Sequence, residues 1–213
     1  MAQEIEAKYK VDSFSPVRRA LKRLGAQRLF WTVQRDEYFD TPRRSLLSSD
    51  QGVRLRLIRQ VRPDKAAPDS QFQLTYKGPR RAGAVKSRVE HQMRLEDPQA
   101  MADLLGALGL LACLVVEKRR TSYRLGRCIV ELDELPVIGR FVEIEGPSAF
   151  QVTRLAARLD LPGEPIADPY IDLLRRRCPS AGGECAEITF KRCGRTGRCR
   201  RRARRGRPGP GSP

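Results

Sequence analysis

Charged side chains recur at every second position in seven separate segments of this chain, a spacing that could do chemistry. Glu4, Glu6 and Lys8 alternate with Ile5, Ala7 and Tyr9, and Arg54 and Arg56 alternate with Val53, Leu55 and Leu57. Gln71, Gln73, Thr75 and Lys77 oppose Phe72, Leu74 and Tyr76, while Arg88 and Glu90 flank Val89. Lys118 shares its parity with Arg120; Glu131 and Asp133 oppose Val130 and Leu132; Glu143 and Glu145 oppose Val142 and Ile144. Residues two apart on a strand share a face, so each segment gathers its charges on one side. An E-x-E pair then sets two carboxylates roughly 6 to 7 Å apart, a reach suited to hard cations such as Mg²⁺ or Mn²⁺ held through oxygen and water. Arg offers phosphate a bidentate fork and Lys a compact charge. Metal ions bridging protein acids to phosphate oxygens would neutralise the charge that develops during phosphoryl transfer. A polyphosphate is the guest that suits these residues.

Strands must position such segments. Alternation of two predicts them at residues 3–10, 28–39, 52–60, 71–77, 86–95, 112–124, 127–133 and 140–145. Three helical patterns interrupt them. The first takes Ser15 as N-cap and Pro16 as its first residue, with Val17, Ala20, Leu21 and Leu24 on one face before Gly25. The second opens at Asp97 and Pro98 and runs through Met101, Leu104, Leu105 and Leu108. The third follows Ser148 with Val152, Leu155, Ala156 and Leu159, and a fourth short helix is expected at Tyr170 to Leu174. Residues 61–70 and 78–86 read as long connections. A charged strand face is ordinarily the wet side of an antiparallel sheet. That reading weakens across seven segments, because their polar faces are almost wholly Glu, Asp, Arg and Lys and their apolar faces are rich enough for three helices to cover. The charges then point inward, and since an unpaired buried ion costs several kcal/mol, the interior must hold water, metal and anion. The expected class is α+β: a closed eight-stranded antiparallel β-barrel, a tunnel, with helices packed outside.

The 213 residues accommodate one domain, 1–174, and a tail, 175–213. From Arg175 on, twelve Arg and one Lys stand against Glu184 and Glu187, which leaves +11 of the +17 net charge in the tail and +6 in the body. The tail's Arg, Gly, Pro and Ser carry almost no apolar periodicity, and disorder is expected there. Its cluster Arg200, Arg201, Arg202, Arg204 and Arg205 offers weak, non-specific contact with nucleic-acid phosphates, without interleaved aromatics to read bases. Cys178, Cys185, Cys193 and Cys199 lack paired C-x-x-C spacing, and Cys113 and Cys128 read as core residues. The opening MAQEIEAKYK has no apolar h-region and no stretch is long enough to span a bilayer, so a cytoplasmic protein without membrane contact is expected. Nothing in the pattern distinguishes a monomer from a homodimer.

The opening E-I-E-A-K resembles the E-x-E-x-K signature of the CYTH family, the triphosphate tunnel metalloenzymes, which includes thiamine triphosphatases, bacterial inorganic triphosphatases and class IV adenylyl cyclases. The resemblance continues through RDEYFDTP, VRLRLIR, LTYKGP, VEKRRTSY, VELDELPVIGRFVEIEG and DPYIDLL, covering nearly all of residues 3–174. It implies that Glu4 and Glu6 ligate metal from one wall, with Glu143, Glu145 and Glu131 or Asp133 doing so from another. Lys8, Arg54, Arg56, Lys77, Arg88 and Arg120 would grip the triphosphate, with Glu90 supporting them. Tyr38 matches a tyrosine that thiamine triphosphatases pair with the motif lysine, so Lys8 and Tyr38 are the candidates for proton transfer to the leaving group. Two features depart from the pattern. Where mammalian thiamine triphosphatases carry a lysine near the end of the domain, this chain has Asp168, Pro169 and Tyr170, closer to the bacterial cyclase-like branch, and the Arg-rich tail matches no family feature.

Among single residues, His91 reads as packing beside Glu90, Trp31 as core, and Asp36 and Asp40 as turn or support groups around Tyr38. The expected activity is metal-dependent hydrolysis of an inorganic or organic triphosphate. The alternatives are a class IV adenylyl cyclase, making cyclic AMP and diphosphate from ATP, and a non-catalytic phosphate- or RNA-binding protein.

Overall fold

The computed structural model describes residues 3–61, 69–80, 86–178 and 186–193, with backbone alone at 3, 4, 86 and 87. Most of the two expected connections, residues 62–68 and 81–85, and the Arg cluster at 200–205 lie outside the described residues. Eight strands form an antiparallel sheet: β1 (Gln3–Val11), β2 (Gln27–Asp40), β3 (Gly52–Val61), β4 (Asp69–Lys77), β5 (Lys86–Leu95), β6 (Leu111–Leu125), β7 (Cys128–Leu135) and β8 (Gly139–Glu145). Their order is β2-β3-β4-β5-β1-β8-β7-β6, and β6 also pairs with β2, from Gln27↔Arg124 to Asp40↔Leu111. The sheet is therefore strongly curled. Register shifts at Arg28/Phe30 and Tyr38/Phe39 in β2 mark bulges, which bend and twist a strand and help it meet neighbours on both sides.

The apolar parity of these strands faces helices. α1 (Ser15–Arg23) and α4 (Ala149–Arg158) bury Val17, Leu21, Val152 and Leu155 against Ala7, Val130, Val142 and Ile144. α3 (Pro98–Ala107) sets Leu105 against Phe39, Val53 and Leu55. Asp97 accepts from the Gln99 and Ala100 amides at 2.9 Å, and Ser148 accepts from Gln151 N at 3.3 Å, so two expected caps are in place. At α1 the cap lies earlier than expected. Ser15 is already helical, Phe14 is the N-cap residue, and the Ser13 hydroxyl accepts from Ser15 N at 3.2 Å. A short α2 (Ser45–Ser48) was not legible in the sequence; Asp40 holds its start, accepting from Leu46 N and Leu47 N.

Not every helix is outside. Leu114, Val116, Leu135 and Phe141 share the inward parity of Lys118, Asp133 and Glu143, so the inner face turns apolar toward one end. α5 (Tyr170–Arg177) packs there, with Leu174 fully buried among them. Beside it β9 (Ala186–Ile188) pairs parallel with Leu114–Val116 of β6, followed by α6 (Phe190–Cys193). Residues 186–193, expected to be disordered, are thus part of the fold. Pairing of β6 with β7 begins only at Arg119, which leaves the Leu114–Val116 edge for this segment. Ile188 is fully buried, and Glu187 bridges Arg35 and Arg192 at 2.8 and 3.1 Å. Three residues of alternation among Gly and Arg are too few to signal a strand in composition. Cys178 is disulfide-bonded, whereas Cys128 and Cys193 are free thiols. No helix among the described residues is long and apolar enough to cross a membrane.

Leu174→Ala should cost about 2–5 kcal/mol by opening a cavity under α5. Leu108→Ala, at a side chain 69% exposed, should stay within about 0.5 kcal/mol. Urea unfolding followed by circular dichroism measures both.

Candidate active site

The inward face of the sheet lines a cavity of about 1000 Å³, and strand register delivers charges to it in pairs. On β2 and β3, Asp36 lies opposite Arg56 and Tyr38 opposite Arg54. Arg56 grips the Asp36 carboxylate with Nε at 2.6 Å and Nη2 at 2.8 Å, and Arg54 reaches it at 3.5 Å. Burial alone would raise the Asp36 carboxyl, but Arg56, Arg54 and Lys118 outweigh it and hold the group well below the usual carboxylate range. Arg54 is held more loosely: its Nη2 donates to Thr75 at 3.3 Å, and its buried Nε has no hydrogen-bond partner among the described residues. A guanidinium N–H left over beside a cavity suits an anionic oxygen. Burial, then Asp36, push the Tyr38 phenol up, so it stays protonated. On β4 and β5, Lys77 and Glu90 lie opposite each other and pair at 2.7 Å.

The facing wall is organised around Asp133. Its carboxylate accepts from Arg120 Nε at 2.6 Å and Nη2 at 2.5 Å, from Lys118 Nζ at 3.2 Å and from the Tyr170 hydroxyl at 3.1 Å. Arg120 continues to Glu143 at 2.6 Å and to Glu131. Lys8 lies 3.4 Å from Glu143, donates to the Asp168 carbonyl at 3.1 Å and sits 3.9 Å above the Tyr170 ring. Burial and the adjacent Arg120 push the Lys118 ammonium down to about 8. Burial likewise raises Glu131.

Register also sets acid against acid, with Glu6 opposite Glu145 and Glu131 opposite Glu143. Like charges directly across a ladder repel, so this wall needs positive charge between its strands. Arg120 and Lys8 supply part of it. The donors are all carboxylate oxygens, the chemistry of a hard divalent cation. Among the described residues, no three acidic, histidine or cysteine side chains converge into a finished metal cage. The fit is therefore one of donor type, and a cation would have to loosen Arg120 from Glu131 and Glu143.

Residues 2–157 match the CYTH domain family. The chain belongs to the CYTH family. The adenylate cyclase CyaB of Aeromonas hydrophila is 32% identical over 143 residues, 66% of this chain and 67% of that protein. The solved structure of PH1012 from Pyrococcus horikoshii OT3 is similar with a TM-score of 0.65 at 27% identity, covering 80% of this chain and 98% of that one. HpAC1 from Hippeastrum, for which a dominant triphosphatase activity is described, shares the fold at a TM-score of 0.62 and 19% identity, over 81% of this chain and 95% of its own.

Measured against the CYTH expectations, Glu6, Lys8, Glu131, Glu143 and Glu145 line the cavity from β1, β7 and β8. Tyr38, Arg54, Arg56, Lys77, Arg88 and Glu90 line it from β2 to β5, and Arg120 lies between the two groups on β6. The side chain of Glu4 is outside the described residues. Asp133, expected as a metal ligand alternative to Glu131, is fully buried behind the wall, where its oxygens are taken by Arg120, Lys118 and Tyr170. Lys8 and Tyr38 were expected as a pair; the tyrosine against Lys8 is Tyr170, and Tyr38 stands with Arg54. Asp36 and Asp40 are support groups, as expected. His91 is exposed and stacks on Tyr76 at 6.2 Å, and Trp31 is only half-buried rather than core.

Sequence reasoning left Lys118 and Tyr170 out of the site, although Lys118 shares the parity of Arg120. It also missed Arg80, which is tied to Asp50 at 2.8 Å and to the Ala167 carbonyl at 3.0 Å. Arg80 and both of its partners come from loops, where no alternation marks them.

Asp36→Asn should cost about 3–5 kcal/mol near neutral pH, because Arg56 is left buried without its counter-charge. Folding depresses the Asp36 pKa, so the carboxylate's contribution is complete above its ordinary value of 3.8 and fades as pH falls below it toward the native value. In urea titrations the wild type's advantage over the Asn variant should therefore shrink between about pH 5 and about pH 3. An advantage constant over that range would rule out a charged Asp36 as the cause.

Proposed function

We propose that this CYTH protein is a divalent-metal-dependent triphosphatase that hydrolyses inorganic or organic triphosphate inside a closed tunnel of eight strands. The observation that carries the reading is the division of the inner face by register. On β1, β8 and β7 acid lies opposite acid at Glu6 and Glu145 and at Glu131 and Glu143, with Lys8 also opposite Glu143, whereas between β2 and β3 and between β4 and β5 acid lies opposite base, Asp36 facing Arg56 and Glu90 facing Lys77. One side is thereby suited to cations and the other to an anion that cations accompany.

Arg54, Arg56, Lys77, Arg88, Arg120 and Lys8 bind the phosphate oxygens in this reading, with Arg54 the best placed to turn toward them because its hold on Asp36 is long. Asp36 and Glu90 keep Arg56 and Lys77 oriented. Glu6, Glu131, Glu143 and Glu145, with Glu4 as the remaining expected ligand, would hold Mg²⁺ or Mn²⁺, which neutralises phosphate charge and positions water. In this reading Lys8 donates the proton to the departing phosphate. Tyr38, kept protonated by burial, contributes a neutral donor.

Similarity to CyaB favours a second reading, adenylyl cyclase, in which the ribose 3′-hydroxyl of ATP attacks its own α-phosphate and diphosphate leaves. Hydrolysis is preferred because it asks only that water reach the phosphate, and because a fold neighbour, HpAC1, is described as dominantly a triphosphatase. A purely phosphate- or RNA-binding protein would have no need of acid facing acid.

The full chain, offered tripolyphosphate, thiamine triphosphate or ATP with Mg²⁺ or Mn²⁺, should release phosphate. Glu145→Gln should lower the rate on the order of 10²-fold, given the several kcal/mol a catalytic metal supplies. Cyclic AMP and diphosphate as the main products from ATP would transfer the assignment to the cyclase, and the absence of metal-dependent turnover would sink both enzyme readings.

A further inference from the structure

We propose that Asp133 and Tyr170 are positioning residues of this site, locking its cation cluster in place, and that Asp133 is not a metal ligand. The inference rests on the reading of the cavity as a metal-dependent triphosphate site. Asp133 is fully buried, whereas the Glu131 and Glu143 side chains retain 18% and 9% exposure and line the cavity. A carboxylate offers about four lone-pair positions. At Asp133, Oδ1 accepts from Arg120 Nε, while Oδ2 accepts from Arg120 Nη2, Lys118 Nζ and the Tyr170 hydroxyl. A metal there would have to displace donors from a group that water does not reach.

Tyr170 extends the same lock. Its ring lies under Lys8 at 3.9 Å and under Lys118 at 5.5 Å, and it is fixed by edge contact with Phe141 at 5.1 Å. Through its hydroxyl it joins these lysines to Asp133, and through Asp133 to Arg120. The arrangement makes α5, which lies beyond the 2–157 family match, part of the catalytic architecture. A guanidinium or ammonium displaced by about 1 Å can cost on the order of 10²-fold in rate without any loss of metal.

The test measures Mn²⁺ binding to the full chain by electron paramagnetic resonance, and kcat with tripolyphosphate, for Asp133→Asn, Tyr170→Phe and the ligand control Glu145→Gln. Thermal unfolding establishes that each variant is folded. Asp133→Asn should keep Mn²⁺ affinity within about twofold while kcat falls on the order of 10²-fold. Tyr170→Phe, which cuts only the bond to Asp133, should lose about tenfold in kcat with Mn²⁺ affinity intact. Glu145→Gln should weaken Mn²⁺ by about tenfold or more, as loss of a ligand does. Weakening of that size in Asp133→Asn, or an unchanged kcat, would overturn the proposal. Should Asp133→Asn not fold, an unchanged kcat in Tyr170→Phe overturns it instead. A wild type that binds Mn²⁺ but turns over no triphosphate would refute the proposed function alone, and the Mn²⁺ comparison would still decide the role of Asp133.

Discussion

A charge on the inward face of a curled sheet has little water to turn to, so it must meet an opposite charge across the ladder or bring in one from solution. Register settles which. Four ion pairs of the interior, Asp36–Arg56, Lys8–Glu143, Lys77–Glu90 and Arg120–Asp133, join residues directly opposite each other on neighbouring strands. A slip of one residue in any of these pairings would turn charges outward and apolar groups inward. Strand alignment and site geometry are therefore one specification, and the apolar parity gripped by α1, α3 and α4 enforces both.

The inner face is not uniform. Toward one end its charges give way to Leu114, Val116, Leu135 and Phe141, which bury the apolar side of α5 and, through β9, the segment ending in α6. This graded wall explains how a short helix can enter the sheet's interior without stranding charge. It also explains why Tyr170 can serve two environments, with its ring against Phe141 and two lysines and its hydroxyl on Asp133. The C-terminal part of the chain meets the site through this side chain, through the Asp168 carbonyl that Lys8 contacts and through the Ala167 carbonyl that Arg80 contacts.

Much of this was legible in the sequence because alternation is a strong signal. The eight strands fall within two residues of their expected bounds at each end, and the inward parity of Glu6, Arg54, Lys77, Glu90, Arg120 and Glu143 follows directly from it. What alternation cannot carry is the identity of the strand next door. Without that, Glu131 and Asp133 look equivalent, though one lines the cavity and the other is sealed behind Arg120. The same limit hid which tyrosine meets Lys8, since Tyr170 reaches it from 162 positions away in the chain. Residues 186–193 escaped notice for a different reason: their burial depends on a free stretch of β6, and only β7's register reveals that stretch.

The balance of charge bears on what the cavity can take. Lys8, Arg54, Arg56, Lys77, Arg88, Lys118 and Arg120 are matched one for one by Glu6, Asp36, Glu90, Glu131, Asp133, Glu143 and Glu145. The described inner face is thus close to neutral, although the whole chain carries +17. A triphosphate brings several negative charges, and entering such a site alone it would have to draw bases away from the acids that hold them. On the proposed reading it would arrive with divalent cations and so bring its own compensation: the acids of β1, β7 and β8 would hold the cations, and the bases those acids now hold would become available to phosphate. Arg120, bound to Glu131 and Glu143 at once, is where that exchange would occur, and Asp133 is the partner that keeps Arg120 in place while it does.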